Sequence, residues 1–156
     1  MLTDDQIQNL KWKNSEGSFR INRFIENNKA KIIKCFVGTD SQPGAKHTRF
    51  ATSVCIQNSI GINFIVWTFT EKTHNGLTIE RRIMKEVEFS IMIANYLTNV
   101  HNIELIEIHA DINCNPKYRS FRCMHSAKGF VEGMGYRYVG KPCSWAASSV
   151  ADWFTK

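Results

Sequence analysis

Two patterns of apolar residues divide the chain. In the first half, three runs rich in β-branched and aromatic residues are separated only by short polar turns, and they predict strands at Ile32–Asp40, His47–Asn58 and Ile62–Thr70. The first run is almost continuously apolar, which is typical of a central strand covered on both faces. Because the turns Ser41–Lys46 and Asn58–Gly61 are short, we expect these strands to form antiparallel hairpins.

The second half of the chain begins with a helical pattern. Asn75 and Gly76 break the chain, Thr78 has the side chain of a helix N-cap, and helical periodicity extends over Ile79–Asn99. The apolar face of this long helix consists of Ile79, Ile83, Val87, Ser90, Ile91, Ala94 and Leu97. Four more elements are predicted after it: a strand at Ile103–Asp111, a helix at Tyr118–Glu132, a strand at Tyr136–Val139 and a small-residue helix from Ser144 to the C-terminus.

The first thirty residues differ from the rest in being mostly polar. Residues 1–30 are predicted to be a lead-in that ends in a short amphipathic helix containing Phe19, Ile21, Phe24 and Ile25. The chain then follows the order β-β-β-α-β-α-β-α without a repeat or a linker, so we expect one domain over residues 1–156. This order predicts an α/β fold with a mixed sheet, antiparallel at first and parallel afterwards, and helices on its faces.

Composition places this domain among soluble proteins. Apolar residues make up 43% of the chain, and no apolar run approaches the roughly 20 residues of a membrane-spanning helix. The N-terminal residues lack the apolar stretch of a secretory signal, and an odd number of cysteines, five, cannot all pair within the chain. We therefore expect a cytoplasmic protein that binds no membrane, with Cys35 and Cys55 as small apolar residues of the core.

The net charge indicates the kind of partner. The chain carries a formal charge of +6 and has a pI near 9.2, which favours polyanions such as nucleic acid. Many basic proteins bind no nucleic acid, so particular residues have to support this interpretation.

Four acidic residues lie at the ends of predicted elements and are the candidate chemical site. Asp40 ends the first strand, Asp111 ends the fourth, Asp152 lies in the last helix, and a glutamate lies in the long helix. The first and fourth strands are neighbours in the expected sheet, so Asp40 and Asp111 can lie side by side. Clustered carboxylates repel one another unless a cation lies between them, and oxygen ligands suit Mg²⁺ or Mn²⁺.

Helix geometry narrows the choice of glutamate to two residues. At roughly 100° per residue, Glu80 and Glu86 each lie about 60° from the centre of the apolar face, on opposite flanks. Glu88 lies about 140° away and is expected to face solvent. Geometry does not decide between Glu80 and Glu86.

Four segments resemble the YkuK-type ribonuclease H-like family: VGTDSQ, RRIMKEVEFSIMIANYL, HADINCNPKYRS and KPCSWAASSVADWF. The most specific are the motifs at Gly38–Gln42 and Pro142–Asp152, and the resemblance covers most of the chain. It implies a five-stranded mixed sheet in the order 3-2-1-4-5. It further implies a metal-dependent nuclease whose ligands are Asp40, Glu86, Asp111 and Asp152, and it is the reason to favour Glu86 over Glu80.

The mechanism implied by this resemblance is hydrolysis of a phosphodiester with two Mg²⁺ or Mn²⁺ ions about 3.5–4 Å apart. Basic residues after Asp111 are candidates for holding the phosphate backbone: Lys117, Arg119, Arg122 and Lys128. Hydroxyl and amide groups beside the acids are candidates for further hydrogen bonds to the substrate: Ser41, Gln42, Ser148 and Ser149.

Several alternatives stay open at the level of sequence. The small residues at Ser144–Ser149 can serve close packing of a helix on the sheet as well as substrate contact. The four tryptophans can be core or base-stacking residues, and the spacing of the histidines and cysteines does not support a zinc site. A nucleic-acid-binding module without activity, or a domain in which metal only adds stability, would share these acids. RNA, an RNA–DNA hybrid and DNA are equal candidates as substrates, and oligomeric state is open.

Overall fold

A computed structural model describes residues 1–29, 32–73 and 76–156. Its α-helices are α1 (Asp4–Gln8), α2 (Ile21–Asn28), α3 (Ile79–His101), α4 (Met124–Gly133) and α5 (Asp152–Thr155). Its strands are β1 (Trp12–Asn14), β2 (Gly17–Phe19), β3 (Ile32–Pro43), β4 (His47–Asn58), β5 (Ile62–Lys72), β6 (Ile106–His109) and β7 (Arg137–Val139). A 3₁₀ helix (Arg119–Cys123) leads into α4, and a π-helix (Ala146–Ala151) leads into α5.

All the described strands belong to one mixed sheet in the order β2-β1-β5-β4-β3-β6-β7. The strands β3, β4 and β5 form two long antiparallel ladders, as the short turns predict. β6 lies parallel to β3, and β7 lies parallel to β6. The prediction of an α/β fold with a mixed sheet is therefore confirmed.

The predicted count of five strands is wrong, and the order of the whole sheet differs from 3-2-1-4-5 accordingly. The additional strands, β1 and β2, form a hairpin in the part of the chain predicted to be a polar lead-in, and Lys13 of β1 pairs with Val66 of β5. Each of these strands has only three residues, too few to show a period of two. The other five strands follow as β5-β4-β3-β6-β7, which is the relative order of the five predicted ones.

The predicted and observed boundaries of the strands and helices agree best where the apolar pattern in the sequence is long. β4 has its predicted bounds, and the Thr78 side chain accepts a hydrogen bond from the Arg81 N–H at 3.2 Å, as an N-cap does. The predicted strand ending at Asp111 is shorter, because β6 ends at His109, and the helix predicted from Tyr118 starts with 3₁₀ geometry. Asn75, half of the predicted chain break, lies outside the described residues.

The helix α3 covers one face of the sheet through its predicted apolar stripe. All members of the stripe are buried except Ile79, which is partly buried against the core. On this face the Thr39 hydroxyl lies 2.8 Å from the Ser90 hydroxyl, so polar contacts also join β3 to α3. Cys35 and Cys55 are both buried, which confirms them as core residues.

The opposite face of β3 is covered by the C-terminal helices. The backbone of β3 and the backbone of the π-helix lie in direct contact there. A Cβ atom added to Gly38 would lie 2.5 Å from the Ala147 nitrogen, so only glycine fits under the π-helix. Small residues on both surfaces permit this approach, since Ala146, Ala147 and Ala151 are buried. The close-packing interpretation of the small-residue segment is thereby confirmed.

Alternation along β3 places neighbouring residues on these two faces. Thr39 and Ser41 contact α3, whereas Gly38 and Asp40 contact the C-terminal helices. The end of β3 therefore presents polar groups to both helical layers.

None of the helices formed by the described residues combines the length and the apolar character that spanning a membrane requires.

Candidate acidic site at the end of the central strands

Asp40 lies near the end of β3 on the face covered by the C-terminal helices. Its carboxylate is buried, and Oδ2 accepts a hydrogen bond from the Thr155 hydroxyl at 3.1 Å. The pKa of Asp40 is raised to about 6, chiefly by burial and also by the negative charges of Asp152 and Asp111, against the lowering effect of the Thr155 hydrogen bond. Asp40 is thus a carboxyl group that ionises reluctantly in the metal-free protein.

Glu86 reaches the same strand end from the other face of the sheet. It is buried in α3, accepts a short hydrogen bond from the Ser41 hydroxyl, and has Arg82 Nη1 3.5 Å from Oε1. Burial raises its pKa to about 8, and the charges of Asp40 and Asp111 act in the same direction. Glu80 and Glu88 are exposed, so burial distinguishes Glu86 from both of the other glutamates considered.

Asp111 follows β6 by two residues and faces the same region. Its Oδ1 atom is shielded from solvent and forms an ion pair with Lys141 Nζ at 3.0 Å. The backbone beside it is fixed, because the Lys141 N–H donates to the Ile112 carbonyl at 3.0 Å. A carboxylate has two oxygens with about four acceptor positions, so Asp111 can take a further cationic ligand beside Lys141.

Asp152 is the first residue of α5. Its Oδ2 atom lies 2.9 Å from Lys156 Nζ, one helical turn away. The close packing at Gly38 holds the preceding π-helix on β3 and so places Asp152 near enough to Asp40 for the two charges to interact. Single π-helical turns inside helices are frequently found at functional sites.

The structure therefore brings all four predicted acids to one end of the central strands. Asp40 interacts electrostatically with Asp111 and Asp152, and Glu86 with Asp40 and Asp111. In the ranges 1–29, 32–73 and 76–156, no three His, Cys, Asp or Glu side chains are already gathered as a metal-binding group. Each carboxylate instead has a partner within the protein. Thr155 bonds to Asp40, and Ser41 and Arg82 contact Glu86. Lys141 pairs with Asp111, and Lys156 pairs with Asp152.

The donor set has the chemistry that Mg²⁺ and Mn²⁺ require. All four groups are carboxylates, and two of them, Asp40 and Glu86, are buried and so partly shielded from water. The geometry and the donor chemistry together are those of an acidic site on a mixed α/β sheet. A family model described as ribonuclease H-like matches residues 18–156.

The chain belongs to the ribonuclease H-like family. This match covers every strand except the short β1 and the start of β2, and it includes all four acids. No curated protein and no solved structure matches the chain. The particular chemistry of this ribonuclease H-like protein has to be argued from its own residues.

His109 is a structural anchor in this ribonuclease H-like site. The Ala146 N–H donates to His109 Nδ1 at 3.1 Å, and Nε2 faces Glu107 Oε1 at 3.4 Å, which assigns the proton to Nε2. The ring also packs against Phe36 and Trp145. Because burial lowers its pKa, the imidazole stays neutral and ties the start of the π-helix to β6.

The residues predicted to bind substrate are placed in two different ways. Ser41 is buried and hydrogen-bonded to Glu86 and Arg82, and the Ser148 hydroxyl donates to the Ser144 carbonyl, so both have partners within the protein. The others are exposed and accessible to a ligand: Gln42, Lys117, Arg119, Arg122, Lys128 and Ser149.

Four partners of the acids were not found from the sequence. Arg82 lies four residues before Glu86, and Lys156 lies four residues after Asp152, so helical spacing contained a signal for both. Lys141 and Thr155 reach the site through tertiary contacts, and no local pattern in the sequence indicates them.

Glu86→Gln is expected to make the metal-free protein more stable at pH 8 and to change little at pH 5. A raised pKa means that the folded protein retains a proton which the unfolded chain releases, so wild-type stability falls as pH rises from about 4.5 towards 8. Glutamine keeps an oxygen that can accept from Ser41 but carries no charge. We expect a gain on the order of 3 kcal/mol at pH 8, measured by urea unfolding in chelator.

The matched control for this measurement is Glu88→Gln, an exposed change on the same helix. It is expected to alter stability by less than about 0.5 kcal/mol at either pH. A difference between wild type and Glu86→Gln that does not vary with pH would contradict the assignment of Glu86 as a buried, charge-coupled acid.

Proposed function

We propose that this ribonuclease H-like protein is a metal-dependent nuclease that hydrolyses phosphodiester bonds in RNA, an RNA–DNA hybrid or DNA. The observation that carries the proposal is the meeting of Asp40, Glu86, Asp111 and Asp152, from four separate elements, at one end of the sheet. Mutual repulsion makes such an arrangement costly unless cations bind there. Structural ion pairs alone do not explain why two of the acids are buried.

In the proposed mechanism these carboxylates would hold Mg²⁺ or Mn²⁺, with two ions as the family resemblance implies. When bound, divalent metal would supply positive charge for the phosphate oxygens and lower the pKa of a water molecule for attack on the phosphodiester. Because the pKa values of Asp40 and Glu86 are raised to about 6 and about 8, both residues must lose protons before they act as ligands. Metal affinity should therefore increase with pH over this range.

The surrounding residues position the acids. Ser41 and Arg82 fix the orientation of the Glu86 carboxylate, and Thr155 fixes that of Asp40. The ammonium groups of Lys141 and Lys156 offset the charges of Asp111 and Asp152 in the metal-free protein. The exposed cations Lys117, Arg119, Arg122 and Lys128 are proposed to hold the phosphate backbone, with Gln42 and Ser149 adding hydrogen bonds.

A second candidate is nucleic-acid binding without cleavage. The ion pairs Lys141–Asp111 and Lys156–Asp152 favour it, since they neutralise two of the acids without metal. Both candidates have nucleic acid as the partner, in keeping with the net charge of +6.

Cleavage assays separate the two candidates. Labelled single-stranded RNA, single-stranded DNA and an RNA–DNA hybrid are incubated with Mg²⁺, Mn²⁺ or chelator. A nuclease is expected to cleave at least one of them with Mg²⁺ or Mn²⁺ and to lose all cleavage in chelator. Binding that weakens with salt, does not depend on metal and leads to no cleavage would overturn the nuclease proposal in favour of the binding module.

A further inference from the structure

Few aromatic side chains of the described residues are exposed, and two of the exposed ones lie close in sequence to acids of the candidate site. Among the described residues, the Phe, Tyr and Trp side chains exposed on more than a third of their surface are Trp153 at 76%, Tyr118 at 45% and Phe130 at 38%. The other tryptophans are buried or packed in aromatic clusters. Large exposed rings beside a site lose water-accessible apolar surface when a ligand covers them.

Trp153 directly follows Asp152 in α5. The next residue but one, Thr155, hydrogen-bonds to Asp40, and Phe154 packs against Phe64 of the sheet. These contacts hold α5 on the sheet, and the exposed Trp153 ring belongs to the residue next to the acid Asp152.

Tyr118 lies in the loop that follows Asp111. The Asn113 N–H donates to the Ser120 hydroxyl at 3.0 Å, and the Tyr118 N–H donates to the Asn115 carbonyl at 3.1 Å, so the loop folds back on Asn113, two residues after Asp111. Lys117 Nζ lies 5.3 Å from the centre of the Tyr118 ring, within the range of a cation–π contact. The loop thus presents an ordered aromatic ring with a positive charge over it.

This combination of groups suits an unpaired nucleotide. Every base has a π-face that can stack on an aromatic ring, and the phosphates of the strand can pair with the exposed Lys117, Arg119 and Arg122. In a duplex the bases are already stacked on one another and paired, so their faces are not accessible to Tyr118 or Trp153. Rings that stack on bases in this way would therefore distinguish single strands from duplexes.

We propose that Tyr118 and Trp153 are base-stacking residues, and that the substrate at this site is a single-stranded segment of RNA or DNA. This inference rests on the proposed function in placing nucleic acid at the acidic site, but it does not require cleavage. Phe130 is not included, because it lies near the end of α4, where the chain has crossed back towards the start of β7 and away from Asp111.

The test compares binding of one labelled sequence as single-stranded RNA, single-stranded DNA and the corresponding duplexes, by fluorescence anisotropy in chelator. Tyr118→Ala and Trp153→Ala are each expected to weaken single-strand binding about 5- to 150-fold and to leave duplex binding within about twofold. Tyr118→Phe and Trp153→Phe should retain most of the affinity. Phe130→Ala, a matched exposed aromatic, should have no effect, and thermal melts establish that each variant is folded.

Equal single-strand affinity of wild type and both alanine variants would overturn the proposal, as would equal losses for single strands and duplexes. The RNA and DNA arms identify which strand is preferred. Because binding is measured without metal, it is independent of the nuclease proposal: stacking without cleavage would overturn the nuclease alone, and cleavage with unaffected alanine variants would overturn the stacking alone.

Discussion

Asp40→Asn is expected to lower metal-dependent cleavage by roughly 100- to 1,000-fold without unfolding the protein. Asp40 is the acid whose charge interacts with both Asp111 and Asp152, and its charge also acts on Glu86. Asparagine has nearly the same shape and keeps an oxygen that can accept the Thr155 hydrogen bond, but it removes one negative ligand. Initial rates at saturating Mg²⁺ or Mn²⁺ give the size of the loss.

Stability measurements distinguish this chemical effect from misfolding. The pKa of Asp40 is raised to about 6, so its ionised form costs folding free energy above that pH, and the metal-free Asn variant should be at least as stable as wild type at pH 8. Asp5→Asn, an exposed change in α1, serves as the control and should cleave at the wild-type rate. If Asp40→Asn cleaved at the wild-type rate, Asp40 would not be part of the catalytic site.

Gly38→Ala is expected to destabilise the protein by roughly 1–3 kcal/mol. The added methyl group would lie 2.5 Å from the Ala147 nitrogen and 2.7 Å from the Ala146 carbonyl carbon, both backbone atoms that cannot rotate away. The π-helix must therefore shift from β3, and it carries Asp152 and Thr155 with it. Urea unfolding should show the loss of stability, and cleavage should fall together with it.

The matched control for Gly38 is Gly129→Ala in α4. A Cβ atom at Gly129 meets nothing within 4 Å, so the same added methyl group should stabilise the helix by about 0.5–1 kcal/mol. If both glycine variants were equally stable, the close contact between β3 and the C-terminal helices would not exist in solution.

The parts of the fold that the sequence predicts are the long, periodic elements. β4 and α3 extend over many residues with one dominant period, so their bounds and buried faces could be predicted. The hairpin of β1 and β2 could not, because its three-residue strands are defined by pairing with β5. The π-helix could not be predicted either, because its geometry depends on contact with Gly38 rather than on a pattern of its own residues.

The four acids of the candidate site could be predicted from the sequence, but most of the residues that contact them could not. Asp40 and Asp111 follow strands that the pattern predicts to be neighbours, and topology brings them together. Helical geometry alone left Glu80 and Glu86 equivalent; the structure separates them because Glu86 lies against Ser41 of β3 while Glu80 faces solvent. Contacts such as Thr155 with Asp40 join residues 115 positions apart, and a single sequence contains no local signal for them.

If these four carboxylates form a divalent-metal site, Mg²⁺ and Mn²⁺ should bind to them directly. The most direct measurement is calorimetric titration of Mg²⁺ and Mn²⁺ into the wild-type protein and Asp40→Asn, at pH 6 and pH 8. We expect saturable binding to wild type that is tighter at pH 8 and accompanied by proton release, and binding to Asp40→Asn that is weaker by at least about tenfold. Wild-type protein that binds neither metal, or equal binding by both proteins, would contradict the claim.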